Sequence, residues 1–368
     1  MHILYDYQIF SLQKRGGISR YFVELASRLP VYSQPIETTV LAPLYINEYL
    51  GCSSVHKIGR KIPSFPGRHR ILPVINRIAS RAILKGQCPD ILHETYYSAT
   101  SLSVTVPRIL SVYDMIHERF PSQFKGPDLY ITELKAKAIA RADHLIVISN
   151  NTRDDLIEYL RVSSGKITVI PLASSLEKPD MNKDVEICQR PYLLYVGLRG
   201  GVKNFQMLLA AFSHSTMLRS DFDLICVGGG DFTSEELSAF AALSVGKQVK
   251  HLSADDTLLA SLYSHAALFV YPSLYEGFGL PLLEAMRCGC PIACSNTSSM
   301  PEIAGDAAMF FDPSDEEEMR VVIESIVQSK EMVRLLRIRG YEREKFFSWD
   351  ICASQTVELY CDILGQRA

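Results

Sequence analysis

Several chemistries are excluded by what this 368-residue chain does not contain. It has nine cysteines but no C-x-x-C pair, and Cys288-Gly-Cys290 lacks the second pair a zinc site needs. The thiols therefore read as reduced and mostly buried, which suggests the cytosol. No apolar run approaches the ~20 residues of a membrane span. Only a short apolar start precedes Lys14 and Arg15, which argues against a signal peptide. The G-x-x-x-x-G-K-[ST] order of a Walker loop is missing. Acidic residues are absent from 56–85, which hold eight Lys or Arg.

What is present is ordinary in bulk and uneven in place. An apolar content of 47% with 21% charged residues is that of a globular protein, and the length suggests two domains. Residues 1–184 carry 23 basic against 17 acidic side chains, and residues 185–368 carry 15 against 24. Such asymmetry bears on partners. Within the basic stretch, Arg70 to Lys85 spaces cations between aliphatics, as an interfacial helix on an anionic membrane would. An ordinary amphipathic helix with a basic solvated face reads equally well. Nucleic acid is disfavoured, because stacking aromatics are missing there.

Apolar runs separated by glycine turns and amphipathic stretches predict an α/β chain with two doubly wound halves. The first has strands near 2–7, 38–42, 90–93, 108–114, 144–148 and 167–171. The second has strands near 192–196, 222–228, 248–252, 266–271, 291–295 and 308–311. Gln8 to Arg15 reads as a loop, and Gly16-Gly17 opens a helix. The polar segment 177–190 reads as a linker between domains 1–176 and 191–346.

Tyr271 to Met286 reads strand, glycine loop, helix, with Glu276 and Glu284 eight positions apart and Gly277, Gly279 and Pro281 between them. The helix N-terminus favours an anion, so carboxylates there suit hydroxyls of flanking polyols. A dipole-complementing Glu284 and a solvated Glu276 remain the plain alternative. In the preceding unit, the glycine turn of Gly197 to Asn204 carries Arg199 and Lys203, which together suit a diphosphate. His93, Asp114 and His117 fall at strand ends on the expected ligand edge, where a histidine can equally be structural.

These residues carry a family likeness. The E-x7-E stretch at Glu276 to Glu284, Gly16-Gly17, Val196-Gly-Leu-Arg199-Gly-Gly-Val-Lys203-Asn, Pro301-Glu302-Ile and Phe347-Ser-Trp349 follow the family order. On them the chain resembles the retaining glycosyltransferases of family 4, also called group 1, with the GT-B fold. The resemblance implies two Rossmann-like doubly wound domains facing a central cleft, 1–176 on the acceptor side and 191–346 on the donor side. It also implies a helix at 347–368 packing back on the first. Glu276 would hold donor-sugar hydroxyls, Glu284 the ribose, and Arg199 and Lys203 the diphosphate. The backbone of Gly277, Phe278, Gly279 and Leu280 would meet sugar and phosphate, with the base against Lys250, His251 and Leu252. Gly16 and Gly17 would line the acceptor side. Many relatives have His-Asp where this chain has Tyr113-Asp114, so Asp114 or His117 would share the donor-sugar contact. No cofactor or metal is implied beyond a nucleoside diphosphate sugar as donor. The wording resembles the branch with mannosyltransferases of bacterial cell-surface polysaccharide, which implies GDP-mannose and a glycan or lipid-linked glycan acceptor at the cytoplasmic face of the membrane. A UDP-hexose donor, a GT-B epimerase or phosphorylase, and a non-catalytic sugar-nucleotide-binding subunit stay open.

Overall fold

A computed structural model describes residues 1–31, 35–124, 126, 129–178 and 189–365. It divides into two compact units: Met1–Leu172 with Trp349–Ala368, and Ala173–Ser348. Most of the linker expected at 177–190 lies outside the described residues.

The first unit is a seven-stranded parallel sheet. Its strands are β1 (His2–Tyr5), β2 (Glu37–Tyr45), β3 (Lys57–Lys61), β4 (Ile91–Glu94), β5 (Arg108–Val112), β6 (His144–Val147) and β7 (Ile167–Val169), in the order β3-β2-β1-β4-β5-β6-β7. The inner strands are near-continuous apolar runs such as Ile3-Leu4-Tyr5, buried because helices cover both faces. The second unit is a six-stranded parallel sheet of β8 (Tyr192–Val196), β9 (Asp223–Val227), β10 (Val249–Leu252), β11 (Leu268–Tyr271), β12 (Ile292–Ser295) and β13 (Ala308–Phe311). Its order is β10-β9-β8-β11-β12-β13. In each sheet the strand order reverses once, between β1 and β4 and between β8 and β11. That reversal opens a crevice at the carboxyl ends of the strands.

The last helix, Trp349–Ile363, belongs to the first unit. Trp349 stacks on Tyr21 with ring centres 6.2 Å apart, and the Tyr360 hydroxyl lies 2.6 Å from His93 Nδ1. Two elements differ from the sequence reading. Gln8–Leu12 is a short helix rather than a loop, and the basic stretch supplies the edge strand β3 before its helix, Arg68–Ile83.

Candidate functional site

The reversal in the second unit brings together the turn after β8 and the loop after β11. Gly201–Lys203 forms one 3₁₀ turn, and Asn204, at φ 55°, begins the Phe205–His214 helix. Its side-chain amide donates to the carbonyls of Pro272 (3.1 Å) and Pro313 (2.8 Å), and Leu274 N donates to Val202 O at 2.7 Å. This clamp sets Lys203 opposite the glycine loop, where its Nζ donates to Glu276 Oε1 at 2.6 Å. The ammonium side chain keeps 25% of its surface and the carboxylate 12%. The two are thus paired with each other at the edge where a ligand would enter. A ligand phosphate would compete for Lys203, and a hydroxyl for Glu276.

The loop after β12 holds the Glu276 loop from beneath. Ser298 Oγ accepts from Glu276 N at 3.0 Å, and the buried Ser299 hydroxyl contacts the carbonyls of Glu276 (2.9 Å) and Phe278 (3.0 Å). Sequence reading missed both serines and Asn204; the polar cluster Asn296-Thr-Ser-Ser after a strand was their signal. Gly279, at φ 98°, caps the Leu280–Arg287 helix, a backbone that other residues rarely adopt. The Phe278 side chain is buried against Phe347, leaving only its backbone for a ligand. Glu284, in the first turns of that helix, accepts from Tyr263 Oη at 3.2 Å and is partly exposed.

Arg199 departs from expectation. Its Nε donates to Glu236 Oε1 (2.7 Å), Nη1 to Gly228 O (2.6 Å), and Nη2 to Gly230 O (2.9 Å) and Asp231 O (3.0 Å). The side chain retains 3% of its surface. A guanidinium with its donors committed this way is a clamp for the loop after β9, and the diphosphate role is not what this geometry offers. Gly228, Gly229 and Gly230 all have positive φ, and the carbonyls of Gly228 and Gly230 turn onto that group; a Cβ on Gly229 would come within 2.9 Å of Nη1. Lys250 is a second correction. Its Nζ donates to the buried Asp223 Oδ2 at 2.6 Å. Asp223 begins β9, so this pair sits at the amino edge, opposite the crevice. The sequence reading finds no Asp-x-Asp ligand pair, and this is corrected too: Asp221-Phe-Asp223 is such a pair, but it lies at this same amino edge, with Asp223 paired to Lys250 and Arg190. His251 does face the crevice side, near Asp231 (3.5 Å) and Phe232, and Leu252 ends its strand half-buried.

In the first unit, Asp6 follows β1 and accepts at Oδ1 from Thr95 N (3.0 Å), Thr95 Oγ (2.5 Å) and Gln8 N (3.2 Å). Burial first, and Glu94 nearby second, push its carboxyl up to about 7. Gly16 and Gly17 open the Gly17–Arg28 helix, but Gln13 Oε1 already accepts from Ser19 N at 3.2 Å there. Tyr113, at the place of the family histidine, is buried, and its hydroxyl donates to Thr95 O at 3.1 Å. Asp114 is the exposed group at that strand end, with 35% of its side-chain surface open. The wholly buried Lys135 fixes it by donating to Asp114 O (2.9 Å) and Glu118 Oε2 (2.8 Å). His117 packs its ring on Phe124 with centres 4.1 Å apart. His93 is fully buried between Tyr360 and Ser111 Oγ (2.8 Å), and burial holds it neutral, down to about 3. It is a core residue and leaves the list of site candidates.

Comparison with known proteins adds independent findings. Residues 177–343 match the family of glycosyl transferases group 1, and residues 15–178 match Glycosyltransferase Family 4. The chain is 31% identical over 243 residues to an Escherichia coli O-antigen chain mannosyltransferase B, covering 63% of this chain and 64% of that one. It is 28% identical over 293 residues to an E. coli serotype-specific mannosyltransferase WbdA, covering 74% of this chain but 36% of that one. The chain thus spans less than two thirds of either relative's length. A solved structure of Anabaena HepE with UDP-glucose superimposes with a TM-score of 0.75 at 14% identity, over 98% of this chain and all of that one. Both units have the sheet topology of such GT-B proteins.

Proposed function

Because the chain belongs to the group 1 glycosyl transferases, its two family matches together running from residue 15 to residue 343, we propose that it transfers a mannosyl group from GDP-mannose to a glycan or lipid-linked glycan in O-antigen or similar polysaccharide synthesis, at the cytoplasmic face of the membrane. The observation that carries this reading is the Lys203–Glu276 pair at the reversal point of the second sheet. The similarity to mannosyltransferases supports the sugar. UDP-glucose in a protein of like fold keeps a UDP-hexose as the second reading of the donor.

In the proposed step the bond between the sugar C1 and the diphosphate oxygen breaks, and C1 bonds to the acceptor oxygen on the same face, which retains the configuration. The acceptor proton goes to the departing phosphate. Negative charge gathers on the leaving diphosphate, so Lys203 and the amides opening the Leu280–Arg287 helix carry the stabilisation. Glu276, released from Lys203 as the phosphate takes its place, accepts from donor-sugar hydroxyls, and Glu284 from the ribose. Gly277 and Gly279 let the backbone approach the sugar, His251 and Leu252 border the base, and Gly16, Gly17, Asp114 and His117 stand on the acceptor side. Arg199 acts indirectly, by fixing the loop after β9. No metal takes part in this scheme.

The test is a panel of sugar nucleotides scored for hydrolysis and for transfer to a lipid-linked acceptor, with and without a chelator. Chelator-insensitive turnover of GDP-mannose to a new α-linked product is expected, and Lys203→Ala should lower kcat by about 10²- to 10³-fold. Near-normal turnover by that variant would sink the diphosphate assignment.

A further inference from the structure

The Arg68–Ile83 helix is amphipathic in the reverse sense to a helix packed only by apolar contacts. Its inward arc holds Leu72, Asn76 and Ser80, all buried. Asn76 docks like a strand residue: its Oδ1 accepts from Leu44 N at 2.8 Å and its Nδ2 donates to Leu44 O at 2.9 Å, where β2 departs from regular register. The Tyr7 hydroxyl adds a contact to Pro73 O at 3.4 Å. With the helix held by an amide, its outward arc is free to carry anything soluble. It carries Ile71, Val74, Ile75 and Ile78, which are 49%, 48%, 42% and 63% exposed. At 100° per residue these four form one continuous row. Arg70, Arg77 and Arg81 run along one border of it and Arg68 along the other. Arg60 and Lys61 on the edge strand β3 and Lys85 beyond the helix are exposed too.

Four aliphatics exposed in a row have no structural use in water, and clustered cations with no carboxylate among residues 56–85 repel each other. We propose that this face seats on an anionic lipid surface. Ile71, Val74, Ile75 and Ile78 enter the acyl boundary, and the bordering arginines meet lipid phosphates. Charge complementarity selects this occupant. Residues 56–85 offer eight cations and no carboxylate, so a second copy of the chain would oppose like charge to like charge across the contact. No described helix is long and apolar enough to cross a membrane, which leaves the interfacial mode. The proposal deepens the reading of a lipid-linked acceptor, since it brings the acceptor unit to the lipid, but its test does not depend on that reading.

The experiment is flotation of the full chain with neutral phosphatidylcholine vesicles and with vesicles containing about one third phosphatidylglycerol. Two variants, Ile71→Ser/Ile75→Ser/Ile78→Ser and Arg68→Ala/Arg70→Ala/Arg81→Ala, are floated alongside, with donor hydrolysis measured on each. Binding to the anionic vesicles alone is expected. The serine variant should bind at least about tenfold more weakly, and the alanine variant on the order of 10²-fold more weakly, at ~1 kcal/mol per cation. Both should hydrolyse donor as the parent does, because no altered residue belongs to the site. Equal binding to both vesicle types, no binding, or variants that bind like the parent would overturn the proposal. So would a concentration-dependent dimer abolished by the serine variant. A chain that floats but turns over no donor would leave this surface standing and remove the transfer reading.

Discussion

At the scale of single residues, the two cations of the glycine turn divide the work. Lys203 ends at the crevice on one ligandable carboxylate, and Arg199 ends inside, on Glu236 and the carbonyls around Gly230. Removing a buried guanidinium strands its partners, a loss of about 3–5 kcal/mol, whereas removing the more exposed ammonium forfeits one charged hydrogen bond worth about 1.5–3 kcal/mol. Arg199→Ala should therefore lower the urea midpoint markedly, while Lys203→Ala should lower it less and act chiefly on turnover. An unchanged midpoint in Arg199→Ala would return that residue to the ligand. The pattern of glycines and cations made both residues visible in the sequence, and only side-chain geometry could separate their roles. Lys250 shows the same limit. Its strand was legible, but which end of the strand its long side chain would reach was set by Asp223, 27 residues earlier.

At the scale of elements, those with a continuous apolar period were legible, and those fixed by tertiary contacts were not. Gln8–Leu12 has no side-chain cap, and Ile9 N is satisfied by Thr95 Oγ1 at 3.1 Å, from the loop after β4. The edge strand β3 is Lys57-Ile-Gly-Arg-Lys61, whose charges suit a sheet edge but hide its pairing with β2. The last helix belongs to the first unit, and its anchor is a buried polar contact between Tyr360 and His93. That contact makes stability depend on pH. The folded imidazole is held down to about 3, against 6.5 when free, so between these values the unfolded chain binds the extra proton and stability rises with pH. The contribution is full above about 6.5 and is lost as pH falls toward 3. Asp6, raised to about 7, acts with the opposite sign between 3.8 and 7, because there the folded chain holds the proton, so the two slopes oppose in the wild type. The stability difference between wild type and His93→Gln isolates the histidine. It should be flat above pH 6.5 and shrink below it in chemical denaturation. A difference that stays constant down to pH 4 would mean that His93 is protonated in the fold.

At the scale of the whole chain, the unit boundaries sharpen the charge asymmetry that the sequence carries. The first unit holds 22 basic against 17 acidic residues, and the second 16 against 24. The proposed donor is an anion, and the unit assigned to bind it is net acidic by eight charges. Its long-range field therefore opposes the donor, and attraction begins only at short range, near Lys203 and the helix opened by Gly279. Salt at physiological strength screens beyond about 8 Å, which removes more of the distant repulsion than of the close attraction. The lipid-facing cations of the first unit should respond the other way, because their attraction to a charged surface is itself long-ranged. Raising ionic strength from about 0.01 to 0.15 M should thus raise kcat/KM for the sugar nucleotide in solution while weakening flotation with anionic vesicles. Measuring both on one preparation checks the assignment of partners to units. Parallel loss of donor turnover and of vesicle binding would show that one basic surface serves both ligands, which contradicts the division drawn here.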